Sequence, residues 1–175
     1  MDSAHYSPKF WTGFLLAGGA SKRMGKCKAD LKVSPRANQT FLQHSWSLLE
    51  TVSVDQWLLG DHSHVPLDQR FIDRSTFSGP LKALVDALPE VDTEWVLLIP
   101  VDMPGLTSEI LFQFQQFALQ NPKGCVTLDA QGRSGFPVAL PRSRFDSVLR
   151  AVEAGETSLF RVLETMQFAQ WNECF

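Results

Sequence analysis

The chain has 175 residues, 16 Lys and Arg against 19 Asp and Glu, a net charge of −3, and 44% hydrophobic content. The length suits one domain, residues 1–175, around one core; the acidic balance excludes a protein that coats nucleic acid. No apolar run reaches the length of a membrane span, Met1–Lys9 lacks the apolar core of a signal peptide, and Cys27, Cys125 and Cys174 form no CxxC pair, which fits a reducing cytoplasm rather than a disulfide or zinc framework.

Phe10–Ala17 is the first predicted strand, followed by a glycine-rich loop. Thr40–Thr51 spaces Phe41, Trp46, Leu48 and Leu49 for a short helix. Gln56–Gly60 reads as a second strand and Arg70–Ile72 as a weak third. A helix opens at Ser78-Gly79-Pro80, with Ser78 or Gly79 as cap and Pro80 in the first turn, and ends at Pro89. Trp95-Val96-Leu97-Leu98-Ile99 is a continuous apolar run, the pattern of a central strand buried on both faces. Thr107 or Ser108 caps a helix to about Gln120. Strands follow at Gly124–Leu128 and Phe136–Leu140, then helices at Arg142–Ala154 and Thr157–Thr165. Strands alternating with helices predict an α/β domain with a mostly parallel sheet covered on both faces. Ligands of such sheets bind beyond the carboxyl ends of the strands.

The loop after the first strand carries the strongest signal. An apolar run enters Gly18-Gly19-Ala20-Ser21-Lys22-Arg23-Met24-Gly25-Lys26-Cys27-Lys28. Glycines let the backbone approach a ligand closely, and exposed amides beside cations make an anion cradle; a polyphosphate is the expected anion. The alternative is a basic turn without a ligand. The spacing matches neither GxGxxG nor GxxxxGK[ST]. Asp102 ends the central strand between Pro100 and Pro104. One carboxylate beside a polyphosphate suits Mg²⁺, which takes one or two carboxylates plus phosphate oxygens and waters. The alternative for Asp102 is a helix cap, a task Thr107 and Ser108 fill better. Cys27 reads as a small filler, His62-Ser63-His64 as a solvated loop, and Trp46 and Trp57 as core or partner surface.

The string Leu-Ala-Gly-Gly-x-Ser-x-Arg-Met-Gly-x-x-Lys resembles the signature of nucleotidyltransferases related to molybdenum cofactor guanylyltransferase. It runs through Leu16, Ala17, Gly18, Gly19, Ser21, Arg23, Met24, Gly25 and Lys28. Pro100-Val101-Asp102-Met103-Pro104 resembles the family's Pro-x-Asp-x-Pro element. The resemblance covers about the first 140 residues. It implies a three-layer, Rossmann-like fold of the nucleotide-diphospho-sugar transferase type. It also implies a loop that wraps a nucleoside triphosphate, Arg23 and Lys28 that neutralise it, and Asp102 as the Mg²⁺ ligand. By the same resemblance Asp73 contacts the nucleoside, though a surface turn beside Arg74 also explains it, and Gly79 and Pro80 shape the pocket. The family usually continues Gly-Pro-Leu with Ala-Gly, where this chain has Lys82-Ala83, and Lys82 has no assigned partner.

The implied reaction moves GMP from GTP to molybdopterin, or to a similar phosphorylated acceptor, with release of pyrophosphate. A cytidylyl branch, another NTP-dependent transferase, and a catalytically impaired nucleotide-binding module that hands cofactor to a molybdoenzyme-maturation partner are the alternatives. Gly135–Leu140 resembles the strand lining the acceptor side, with Phe136 where His is common. The family's closing Phe-x-Asn-x-Asn-Thr-Pro segment has no clear match, so the C-terminal segment reads as shortened and Asn172 is the available substitute. The metal site then has one protein ligand fewer, a partner supplies it, or catalysis is impaired.

Overall fold

The computed structural model describes residues 10–17, 28–34, 38–60, 62, 65–71 and 79–172. Among these residues seven strands form one sheet: β1 (Trp11–Leu16), β2 (Asp55–Leu59), β3 (Arg70–Phe71), β4 (Trp95–Pro100), β5 (Cys125–Leu128), β6 (Ser134–Pro141) and β7 (Ala169–Trp171), in the order β3-β2-β1-β4-β6-β5-β7. Only β6 runs against its neighbours; β1 pairs with β2 and β4 in parallel, and β5 with β7 likewise. The expected mostly parallel α/β sheet is therefore borne out. The reversal of β6 and the short edge strand β7 are additions that alternation alone did not give.

Among the described residues five helices cover the sheet: α1 (Phe41–Val52), α2 (Pro80–Ala87), α3 (Ser108–Leu119), α4 (Phe145–Glu153) and α5 (Leu159–Thr165). The strand period of two sorts side chains between the faces. Trp11, Leu15, Leu97 and Ile99 pack with Leu42 and Leu49 of α1 and Leu111 and Phe114 of α3. Phe14, Val96 and Leu98 pack with Leu81 and Leu84 of α2, Val148 of α4 and Val162 of α5. Trp46 and Trp57, half-buried, pack one against each cluster. No described helix is long and apolar enough to cross a membrane.

Local chemistry sets the element ends. Thr40 caps α1, accepting from Gln43 N while Gln43 Oε1 accepts from Thr40 N, a reciprocal capping box. Thr107, not Ser108, caps α3 through Ile110 N. Gly79 stands at the cap of α2 with Pro80 as first helical residue. The predicted helix from Arg142 begins as one 3-10 turn, Arg142–Arg144, before α4. Gly13 allows α1 to lie close on β1: a Cβ there would stand 2.7 Å from Ser53 Oγ and 2.9 Å from Leu49 Cδ2.

Candidate functional site

β1 and β4 are neighbours and parallel, so the loops leaving their carboxyl ends emerge side by side. Val101 N donates to Leu16 O at 3.0 Å, and Ala17 N donates to Leu59 O at 3.2 Å. The last residues before the glycine loop are thereby fixed to β4 on one side and β2 on the other. These bonds engage Leu16 O and Ala17 N within the sheet, so what the two residues give the crevice is the launch point of the loop. Gly18, Gly19, Ser21, Arg23, Met24, Gly25 and Cys27 lie outside the described residues, as do Asp73 and His64.

The chain is described again at Lys28–Asp30, a single 3-10 turn. Ala29 is buried in the core beneath it. Lys28 Nζ donates to Asp102 Oδ2 at 2.6 Å across 74 residues of sequence, with the two side chains 48% and 38% exposed. The two motifs picked from the sequence therefore meet. The hydrogen bond to Asp102, and then its charge, push the Lys28 ammonium above its ordinary pKa.

Asp102 belongs to a braced loop. Ser45 Oγ donates to Val101 O at 3.4 Å, His44 Nε2 donates to Leu106 O at 3.2 Å, and Leu106 N closes back on Met103 O. His44 and Ser45 sit in the first turns of α1 and hold the loop from the sheet's α1 side. Nothing local in the sequence marked them, because their partners lie 56 and 62 residues away.

Three readings from the sequence change. His62 is not a solvated loop residue: its side chain is 10% exposed and Nε2 donates to Asp30 Oδ1 at 2.8 Å. Lys82, left without a partner, pairs with Asp86 one helical turn on. Asn172 cannot stand in as a further ligand beside Asp102. It follows β7, separated from β4 by β6 and β5, and three strand spacings of about 4.8 Å put roughly 14 Å between the strands. Oxygens sharing one Mg²⁺ lie about 2.1 Å from it, and neither side chain spans the difference.

Gly79 and Pro80 open α2, which returns from the carboxyl side of the sheet to the start of β4. The register Leu98–Val138 carries the first residues of β6, Gly135 and Phe136, toward the carboxyl end of β4. Phe136 is held there edge-on against Phe160, centroids 5.1 Å apart. Among the described residues no cluster of three or more His, Cys, Asp or Glu could cage an ion. Asp102 offers a carboxylate at the carboxyl end of β4, and it already attracts one cation, the Lys28 ammonium. That donor set fits Mg²⁺, which takes its remaining oxygens from phosphate and water.

A family model described as the MobA-like NTP transferase domain matches residues 13–170. The chain belongs to this nucleotidyltransferase family. It is 26% identical to the molybdenum cofactor guanylyltransferase of Pseudomonas syringae over 87% of this chain and 78% of that protein. A probable molybdenum cofactor guanylyltransferase of Bacillus cereus is 28% identical over 57% of this chain, and the match spans about half of that protein, 52%. The fold is also that of Rv0371c from Mycobacterium tuberculosis, TM-score 0.72 at 19% identity over 94% of this chain and 87% of that one. That protein has also been solved in complex with manganese.

Proposed function

We propose that this chain transfers GMP from GTP to molybdopterin, with release of pyrophosphate and with Mg²⁺ as the ion. The observation that carries the reading is the meeting of Lys28 and Asp102 at 2.6 Å, which joins the end of the glycine loop to the end of the central strand. A cation at the rim of an anion loop and a carboxylate for a divalent ion, side by side, are what a nucleoside triphosphate requires. The fold, the family and the guanylyltransferase relatives support the same reading.

In this reading the amides around Gly18 and Gly19 cradle the triphosphate, with Leu16 and Ala17 fixing where the cradle starts and Ser21, Met24 and Gly25 shaping it. Arg23 and Lys28 neutralise its charge. Asp102 holds Mg²⁺, which when bound withdraws charge from the phosphate oxygens. Asp73 contacts the nucleoside and Gly79 and Pro80 border its pocket. The acceptor phosphate attacks the α-phosphorus from the side of Gly135 and Phe136, and pyrophosphate leaves. No covalent intermediate with the protein is needed; orientation and charge placement lower the barrier. The three scattered cysteines, Cys125 among them buried and reduced, fit a cytoplasmic setting.

Titration calorimetry with GTP, CTP, ATP and UTP, with and without Mg²⁺, tests this. Mg²⁺-dependent binding of GTP in preference to the others is the expected result. CTP preference moves the assignment to cytidylyl transfer, and no binding to any nucleotide withdraws it.

A further inference from the structure

The turn Lys28–Asp30 spans the mouth of β1 and is tied to the strand on each side. Lys28 reaches the loop after β4 through Asp102, and Asp30 reaches the loop after β2 through His62. Ala29 between them is buried, so the two flanking side chains point away from the core toward opposite neighbours. Beyond the turn, Leu31 N donates to Lys28 O and Leu31 O accepts from Phe41 N.

The two ties differ in kind. The Lys28 ammonium has a competing task, since a triphosphate and a divalent ion both draw its partners apart. The Asp30–His62 tie touches neither. His62 is itself fixed: its carbonyl accepts from Arg70 Nη1 at 2.9 Å and from Val65 N at 3.2 Å. Its imidazole therefore offers Nε2–H from a settled main chain to Asp30 Oδ1.

We propose that Asp30 and His62 form a positioning pair that holds the exit of the phosphate loop, and so the place of Lys28, when Lys28 leaves Asp102 for a nucleotide. This rests on the nucleotide reading given above. Neither residue touches substrate; both act through Lys28.

The test uses hydrogen exchange at the Leu31 amide together with titration of GTP–Mg²⁺. In His62→Ala and in Asp30→Ala, Leu31 exchange rises severalfold and the GTP Kd rises about three- to fivefold, the scale of one partly exposed pair. The double variant is no weaker than either single one, because the same tie is lost once. His62→Gln, which keeps a side-chain N–H donor, recovers most of the affinity. In a Lys28→Met background, His62→Ala adds no further loss. Unchanged Leu31 exchange overturns the proposal, as does raised exchange with unchanged GTP affinity, or losses that add. Failure of the unsubstituted protein to bind GTP, with exchange still responding to His62→Ala, removes the nucleotide reading and the positioning role with it, while leaving the tie itself demonstrated.

Discussion

Replacing Lys28 by Met removes the ammonium and keeps most of the stem. The ion pair it breaks is 2.6 Å long, but its side chains are 48% and 38% exposed. Water screens such a pair, so its loss costs folding no more than about 1 kcal/mol. In a chain of this length that lowers Tm by about 2–4 °C. Binding responds on a different scale. Two unit charges about 4 Å apart interact by about 4 kcal/mol at an effective permittivity near 20. If half survives the stripping of water from the ammonium, GTP–Mg²⁺ affinity falls by about 30-fold. Manganese titrated without nucleotide should respond with the opposite sign. Lys28 then no longer competes for Asp102, and Mn²⁺ binding tightens by about two- to fivefold. Thermal melting, calorimetry with GTP–Mg²⁺ and electron paramagnetic resonance of free Mn²⁺ read the three quantities. A Tm loss near 10 °C with unchanged GTP affinity makes Lys28 a structural residue, and unchanged Mn²⁺ affinity removes Asp102 as the ion's carboxylate.

Gly13→Ala drives a methyl group into Ser53 and Leu49; overpacking of this kind costs about 2 kcal/mol, a Tm fall of about 4–8 °C by calorimetry. Because α1 carries His44 and Ser45, the same variant should also loosen the Asp102 loop, seen as faster exchange at Leu106. Cys125 is fully buried and burial pushes its thiol pKa well up, so native protein at neutral pH should resist alkylation at this residue until unfolded, as followed by mass spectrometry. Asp129 accepts from Arg133 Nε and from the backbone N–H of Arg133 and Gln131, and the Arg133 hydrogen bond chiefly holds its carboxyl below the ordinary value. A depressed carboxylate supports the fold above its unfolded pKa and loses that support as pH falls through the folded one. The β5–β6 turn should therefore keep its Arg133 amide protection at neutral pH and lose it in acid, whereas Asp129→Ala, with no side-chain oxygen to accept from the Gln131 and Arg133 amides, loses most of it at both.

Both halves of the candidate site were legible in the sequence, because each is a local string: a strand running into glycines and cations, and an apolar run ending in an Asp between prolines. Their meeting followed from the rule that parallel strands deliver their loops to one edge. The braces were not legible. His44, Ser45, Asp30 and His62 act through partners between 32 and 62 residues away, and a side chain's distant partner leaves no mark in its own neighbourhood. His62 shows the difficulty well: it sits in a polar stretch and yet lies largely shielded. β7 escaped notice because three residues are too few to display a period of two, and the direction of β6 because a short apolar strand reads the same either way.

The separations of these contacts also set an order of assembly. Asp129 and Arg133, four residues apart, close the β5–β6 hairpin by local search, which is fast. Lys28 and Asp102 must find each other across 74 residues, after β4 has settled beside β1. A chain still leaving the ribosome with β1 and β2 complete has the glycine loop and no counterpart for Lys28. In refolding of the whole chain the hairpin end can thus gain order early by local search, whereas during synthesis Lys28 waits for Asp102, 74 residues downstream, which still emerges before the hairpin does.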